Sequence, residues 1–337
     1  MIHEVFKMME KAMTKSNRFA QTLRSITAYR EFALVLVLFV MTIFMTLVSP
    51  VFFTKANIEA ILLSLSVEAT IAVGMVILLI AGGLDLSVGS ILAFTGVVAG
   101  LCLTVLKLSA PLSIFIGLLA ALLVGAVNGL LISKMKINPF IATLGMQITV
   151  RGLTLVLASG KAVLNLPPSF TVVGQGRLFG IQYPIYVMLV LVIVFDILMR
   201  NMRFFRQMYY IGGNEKAARL SGINVDWVQV LNYCLVGVLA GIAGVMITAR
   251  FGSSSLTVGS GVELRVITAT IIGGASLSGG EGSVFGAFLG ALFMGVLANA
   301  LNLLGVDVYW QNFVTGLILI IAVVVDVLNE RRKSQQR

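Results

Sequence analysis

Few side chains in this sequence could do chemistry, and most of those stand in apolar surroundings. Glu68, Asp85 and Arg151 are ionisable residues at or within long hydrophobic runs. An ionised group at the centre of a hydrocarbon layer costs about 2.5–3.5 kcal/mol on insertion scales, so each should face protein or an aqueous path. Glu68 and Arg151 have opposite charges and are a candidate structural pair. Asp85 precedes Ser87 at the start of an apolar run, and a loop or helix-capping role is the plainer expectation for it. Phe140, Thr143, Asn299 and Asn302 are candidates to line a polar path, because aromatic and amide side chains suit hydroxyl-bearing solutes. Amides inside membranes also serve as glue between helices, so both readings stay open. Asn138-Pro139 opens an apolar run, where Pro fixes the first turn and Asn can cap it.

The sequence holds no other reactive set. No Gly-x-x-x-x-Gly-Lys-Ser/Thr string is present to cradle a nucleotide's phosphates. The single histidine, His3, cannot complete a nucleophilic triad, and no Cys/His group has metal-ligand spacing. Cys102 and Cys234 lie apart inside apolar runs and read as small hydrophobes. No catalytic residue, metal ligand or cofactor site is therefore expected, which leaves binding, conduction or coupling as the work of the chain.

The elements that carry these residues follow from composition. Of the 337 residues, 58% are hydrophobic and only 11% charged. A soluble domain averages about 25% charged, so a soluble enzyme is excluded. Uncharged blocks such as 32–54, 111–133 and 227–249 are long enough, at about 20 residues, to cross a bilayer as helices. They lack barrel alternation, so helices are the only way to satisfy their backbone in lipid. The expected fold is an all-α polytopic membrane protein of about ten spans, near 32–53, 58–81, 88–106, 110–133, 138–158, 182–199, 227–249, 264–280, 283–304 and 308–327. An even count puts both termini on one side. With the termini inside, seventeen of the 24 Lys and Arg residues face the cytoplasm, as the positive-inside rule requires. The net charge of +10 is thus explained by membrane topology, and nucleic acid is not expected as a partner. The chain divides into a basic cytoplasmic segment 1–31, one transmembrane domain 32–328 with a cytoplasmic loop 200–226, and a cytoplasmic tail 329–337.

Within that loop, Ile211-Gly212-Gly213-Asn214-Glu215-Lys216-Ala217-Ala218-Arg219-Leu220-Ser221-Gly222-Ile223 reads as a short helix. Asn214 suits the N-cap, Glu215 the positive first turn, and Gly222 the C′ position. Two turns are too few to persist alone in water, so the helix must dock on something. Ala217, Ala218 and Leu220 offer a small apolar surface for a partner's groove. In a chain with no engine of its own, this is the expected coupling element, and packing on its own bundle is the alternative.

An echo links Gly82-Gly83-Leu84-Asp85-Leu86-Ser87-Val88-Gly89 with Gly273-Gly274-Ala275-Ser276-Leu277-Ser278-Gly279-Gly280 at a constant offset of 191. If genuine, it implies five spans per half and an inverted second copy. Both strings face the cytoplasm in the expected topology, which fits an inverted scheme poorly. Gly237-x-x-x-Gly241 and Gly286-x-x-x-Gly290 read as seams of close helix packing within the chain.

Over residues 30–328 the sequence resembles the permease subunits of ABC-type sugar importers of the ribose, galactose, arabinose and xylose class. The carriers are the strings at 82–90, 138–145, 211–223 and 273–280, with Leu301-Asn302-Leu303-Leu304-Gly305-Val306, all in order over one span pattern. The resemblance implies that Gly212, Gly213, Asn214, Glu215, Ala218, Leu220, Ser221 and Gly222 contact an ABC ATPase subunit. It also implies a second permease copy or paralogue, a periplasmic sugar-binding protein, and residence in the lipid of a bacterial inner membrane. ATP hydrolysis would then belong to a separate subunit. A permease of the branched-chain amino-acid class, an ion-coupled secondary transporter and a non-transporting scaffold are the alternatives.

Overall fold

The computed structural model describes residues 30–335. The rest of the basic N-terminal segment and the last two residues of the tail lie outside the described residues. The described chain is helical apart from one short hairpin. Its elements are α1 Arg30–Val48, α2 Lys55–Ile80, α3 Val88–Thr104, α4 Ala110–Ser133, α5 Pro139–Leu157, α6 Pro168–Gln175, the strands β1 Arg177–Leu178 and β2 Ile181–Gln182, α7 Tyr183–Asn201, α8 Arg203–Gly213, α9 Glu215–Leu220, α10 Val225–Phe251, α11 Val262–Ile272, α12 Val284–Leu303 and α13 Val308–Gln335. Seven of these, α2, α4, α5, α7, α10, α12 and α13, are long and apolar enough to cross a membrane, and α1 and α3 are shorter apolar helices. The protein is an all-α polytopic membrane protein.

Each of the ten expected spans is met by a helix, but the eighth is cut short. The expectation was 264–280, whereas α11 has 11 residues and stops at Ile272. At 1.5 Å per residue it covers about 16 Å, roughly half of a hydrocarbon core. The segment beyond it is apolar, but Gly274, Gly279 and Gly280 take positive φ there and build a loop. Hydropathy cannot tell such a loop from a helix, because both are made of small apolar residues.

Packing reveals a repeat. Helix α2 packs on α10, α11 and α12, while α10 packs on α2, α3 and α4; α5 lies on α3 as α13 lies on α11. The sets α2–α3–α4–α5 and α10–α11–α12–α13 therefore share one neighbour pattern. Their first residues are separated by 170, 174, 174 and 169 positions (Lys55 to Val225, Val88 to Val262, Ala110 to Val284, Pro139 to Val308). Gly74 of α2 faces Val236 and Leu239, and Gly83 just beyond α2 faces Tyr233, so α2 and α10 run antiparallel and the second set is inverted. The echo at offset 191 is not this repeat. Its two strings are spatial neighbours: a Cβ on Gly279 would stand 3.2 Å from the Gly82 Cα. What meets across the repeat is Gly89, in the first turn of α3, and Gly259, just before α11, whose backbones touch so closely that a Cβ on either would strike the other's carbonyl oxygen.

The two small-residue seams pack within the chain. Gly237 and Gly241 of α10 lie on Ala121 of α4, and Gly286 and Gly290 of α12 lie on Gly273 and Ala269. Helix α2 sits at the centre, 83% of its spanning window buried, against 6% for α13 at the periphery.

Candidate functional site

The 200–226 segment folds into α8 and α9 at the end of the bundle where α2 stops and α10 starts. Extended backbone at Met202 (φ −85°, ψ 132°) ends α7 and turns the chain into α8. Phe205, Met208 and Ile211 form the buried stripe of α8, while Arg203 and Arg206 point outward. Asn214 is again extended, and its Oδ1 accepts from the Ala217 N–H at 3.0 Å, capping α9. At the other end Gly222 takes φ 84°, with Gly222 N donating to Arg219 O and Ile223 N to Ala218 O at 3.1 Å each. These are the paired bonds of a Schellman stop.

Six residues of helix need outside support, and three contacts give it. Ala218 is 3% exposed, turned into the protein's own core. The Arg219 guanidinium reaches both Glu215, at 2.8 Å, and Asp226 in the first turn of α10. Hydrogen bonds to Asp226 and then to Glu215 push the Arg219 pKa up, fixing its charge. Asp226 also receives Lys136 at 2.9 Å and Lys134 at 3.7 Å, so one carboxylate ties α9, α10 and the α4–α5 turn together.

The third support is backbone on backbone. Gly280 N donates to Ile80 O at 2.8 Å, and Gly212 fits over that bond so closely that any Cβ would collide with Ile80 O. Tyr209 Oη donates to Gly282 O at 3.0 Å. The 276–282 loop is held in turn by α13, where Asp326 Oδ2 accepts from Ser276 Oγ at 3.1 Å and Leu277 N at 3.0 Å, and Glu330 accepts from Ser278. Through Gly212 and Tyr209 of α8, the segment leading into α9 therefore rests on α2 and the glycine loop, and that loop rests on α13.

The expected coupling residues divide. Gly213, Asn214, Glu215, Leu220, Ser221 and Gly222 are exposed, and Leu220 stands out at 90%. Ala218 is nearly buried and anchors α9, and Gly212 packs against Ile80 and Gly280. Beside them α8 and α9 frame an open groove of about 490 Å³, bordered by Tyr209, Tyr210, Gly213, Asn214, Ala217 and Ser221, with Ala218 and Ile223 also in its lining.

Glu68, Asp85 and Arg151 each have partners within the chain. Glu68 pairs with Arg265, Oε1 to Nε 2.8 Å, and not with Arg151 as the sequence suggested. Arg265 lies within α11, in the eighth expected span. Arg151 instead donates Nη1 to Leu256 O (2.7 Å) and Val258 O (3.0 Å) and Nη2 to Gly89 O (3.3 Å). It thereby staples the loop before α11 onto α5 and α3. Beside it, Gln147 Nε2 donates to Glu263 Oε1 at 2.9 Å. Asp85 is fully buried in the turn before α3; its Oδ1 accepts from Ser87 N (2.7 Å) and Ser87 Oγ (2.6 Å), and Asn128 Nδ2 donates to that same Oγ at 2.9 Å.

Phe140, Thr143, Asn299 and Asn302 do not converge. Asn138 Oδ1 caps α5 by accepting from Phe140 N, leaving the Phe140 ring 53% exposed. The buried Thr143 Oγ1 returns its proton to Pro139 O within its own helix, 2.8 Å. Asn299 exchanges two amide bonds with Asn57 of α2 (2.7 and 3.0 Å), and Asn302 accepts from Gln311 Nε2 at 3.3 Å. The asparagines join helices. Arg265, Asp226, Gln147 and Glu263 were missed, and only Arg265 left a signal: a lone cation inside the eighth apolar run.

Residues 57–323 match the family described as branched-chain amino acid transport system / permease component. The chain belongs to this family. It is similar to the ribose import permease protein RbsC of Escherichia coli K12, 39% identical over 293 residues, covering 86% of this chain and 91% of the relative. RbsC of Bacillus subtilis 168 is 40% identical over 300 residues, 88% of this chain and 91% of the relative. The L-arabinose ABC transporter permease protein AraH of Azospirillum brasilense is 39% identical over 304 residues, 90% and 88% respectively. No solved structure matches the chain.

Proposed function

We propose that this chain is the permease subunit of an ATP-driven monosaccharide importer in a bacterial inner membrane, with both termini and α9 on the cytoplasmic side. It forms half of the translocation pathway; a second permease copy or paralogue supplies the other half. Sugar arrives from a periplasmic binding protein, and a separate ATPase subunit docks on α9. The observation that carries the reading is the build of α9: capped at both ends, braced from behind by Ala218, Arg219 and Gly212, and presenting Leu220 and the adjoining groove outward. A helix capped at both ends, backed by the bundle and carrying a projecting Leu220 among charged neighbours can transmit force. When ATP closes the motor subunits, displacement of α9 would pass through Ile80 and Gly280 into α2 and α13 and tilt the inverted halves against each other, the movement alternating access needs.

Leu220→Arg tests the docking. In proteoliposomes with the partner subunits, sugar uptake should fall at least tenfold while insertion of the permease is unchanged; normal uptake would remove α9 from the mechanism. The cargo has a second reading, because the family's description names branched-chain amino acids. Ribose, arabinose and leucine uptake by the same vesicles separates the two, and only the sugars are expected to enter.

A further inference from the structure

One cavity lies apart from the α9 face. It opens between α2, α11, α12 and α13, holds about 240 Å³, and presents Ser64, Glu68, Arg265, Gln311, Asn312 and Thr315 over an apolar floor of α12 side chains. Glu68 is close to the middle of α2, roughly 20 Å along the helix from either end at 1.5 Å per residue. Ser64 and Asn312 are exposed at the mouth, and the Arg265 side chain remains 32% accessible.

Lipid tails cannot sit against this surface. The Arg265 Nε is satisfied by Glu68, but the rest of its donor fork has no hydrogen-bond acceptor among the described residues. Asn312 and the Ser64 hydroxyl likewise make no hydrogen bond within the described chain, and an unmet polar group in hydrocarbon costs several kcal/mol. The mouth must therefore meet water or a polar solute. An ion pair that is already internally neutral repels neither sign strongly and offers donors on one side and a carboxylate on the other. With amide and hydroxyl groups around it, the ring of partners matches a neutral solute whose hydroxyls both give and accept hydrogen bonds. Room for a single ring, rather than a chain of them, follows from the volume.

We infer that this cavity is the mid-depth contact site for a small polyhydroxylated solute on its way through the permease, an assignment that rests on the importer reading above. Gln311 is held in place by its own bonds to Val306 O (2.9 Å) and Asn302, so the wall is preformed. Contact is brief because the mouth stays open, and release costs only the exchange of solute for water.

The test uses the assembled importer in proteoliposomes, with Cys102 and Cys234 replaced by alanine and a single Asn312→Cys. A membrane-impermeant methanethiosulfonate reagent should label that cysteine, and millimolar ribose or arabinose should slow labelling at least threefold. Asn312→Leu, which removes a side chain without protein partners, should raise the sugar concentration for half-maximal uptake about tenfold. Labelling by lipid-soluble reagents alone, or unchanged uptake by Asn312→Leu beside a normally importing unsubstituted complex, overturns the cavity assignment and leaves the importer reading standing. Failure of the unsubstituted complex to import either sugar overturns the importer reading itself, and labelling unaffected by sugar then removes the site with it.

Discussion

The α9 face and the Glu68–Arg265 pair solve the same problem, placing charge on an apolar bundle, in opposite ways. Around α9 the ion pairs share Asp226 and the exposed Arg219: Glu215 with Arg219 and Arg219 with Asp226 are close in sequence, while Lys134 and Lys136 reach Asp226 from the α4–α5 turn. At mid-depth the partners are 197 positions apart, and the carboxylate is the more sheltered of the two, Glu68 at 13% and Arg265 at 32% side-chain exposure. Screening by water and salt makes an exposed pair worth little, about 0–1 kcal/mol. A sheltered pair is costly to break because the survivor stays behind as a bare charge. The first arrangement can bend and re-form during a working cycle, whereas the second fixes where α11 sits.

The sharpest way to break this contrast is Arg265→Ala. Stranding Glu68 in the bundle should cost about 2.5–3.5 kcal/mol, read as a large drop in thermal stability in detergent, and Glu68→Gln added to it should recover much of the loss. A smaller effect, about 2 kcal/mol, is expected from Gly212→Val, whose side chain must push Ile80 and Gly280 apart. Thermal melting checks the stability term, and ATP hydrolysis no longer accompanied by uptake checks the coupling term. Asn214→Ala should remove about 1 kcal/mol of capping from α9, visible as faster proteolysis at 214–222 with the bundle intact. Asp226→Asn is expected to change stability least, by less than about 1 kcal/mol. It should nonetheless reduce uptake in a salt-dependent way, because Arg219, Lys134 and Lys136 then face one another without their shared carboxylate.

The same contrast governs what could be read without coordinates. Features settled within a few residues were legible: the caps at Asn138 and Asn214, the stop at Gly222, and the bracing of Ser87 by Asp85, which follows from a carboxylate two positions upstream. The ten apolar runs were legible too, since length and hydropathy are local. Partner choice across the bundle was not. Glu68 had several cations to choose from, and only the inverted packing of α2 against α11 selects Arg265. Ala218 has no charge or size to mark which way it faces, and its burial depends on how α8 folds back. The eighth run failed for a different reason, because glycines at positive φ make an apolar loop that hydropathy scores as helix. The internal echo misled similarly: its two glycine-rich strings are spatial neighbours, while the real repeat lies near offset 170, where Gly82, Leu86, Val88, Gly89 and Ser90 recur as Gly252, Leu256, Val258, Gly259 and Ser260.

The claim on which the rest depends is that α9 receives its drive from a separate ATPase. Sugar uptake and ATP hydrolysis measured together in one preparation of reconstituted importer, unsubstituted and Leu220→Arg, test it most directly. The account predicts that the variant inserts and melts normally while both uptake and sugar-stimulated hydrolysis fall at least tenfold. Uptake that proceeds equally well with Arg at position 220, or with no ATPase subunit present, would contradict it.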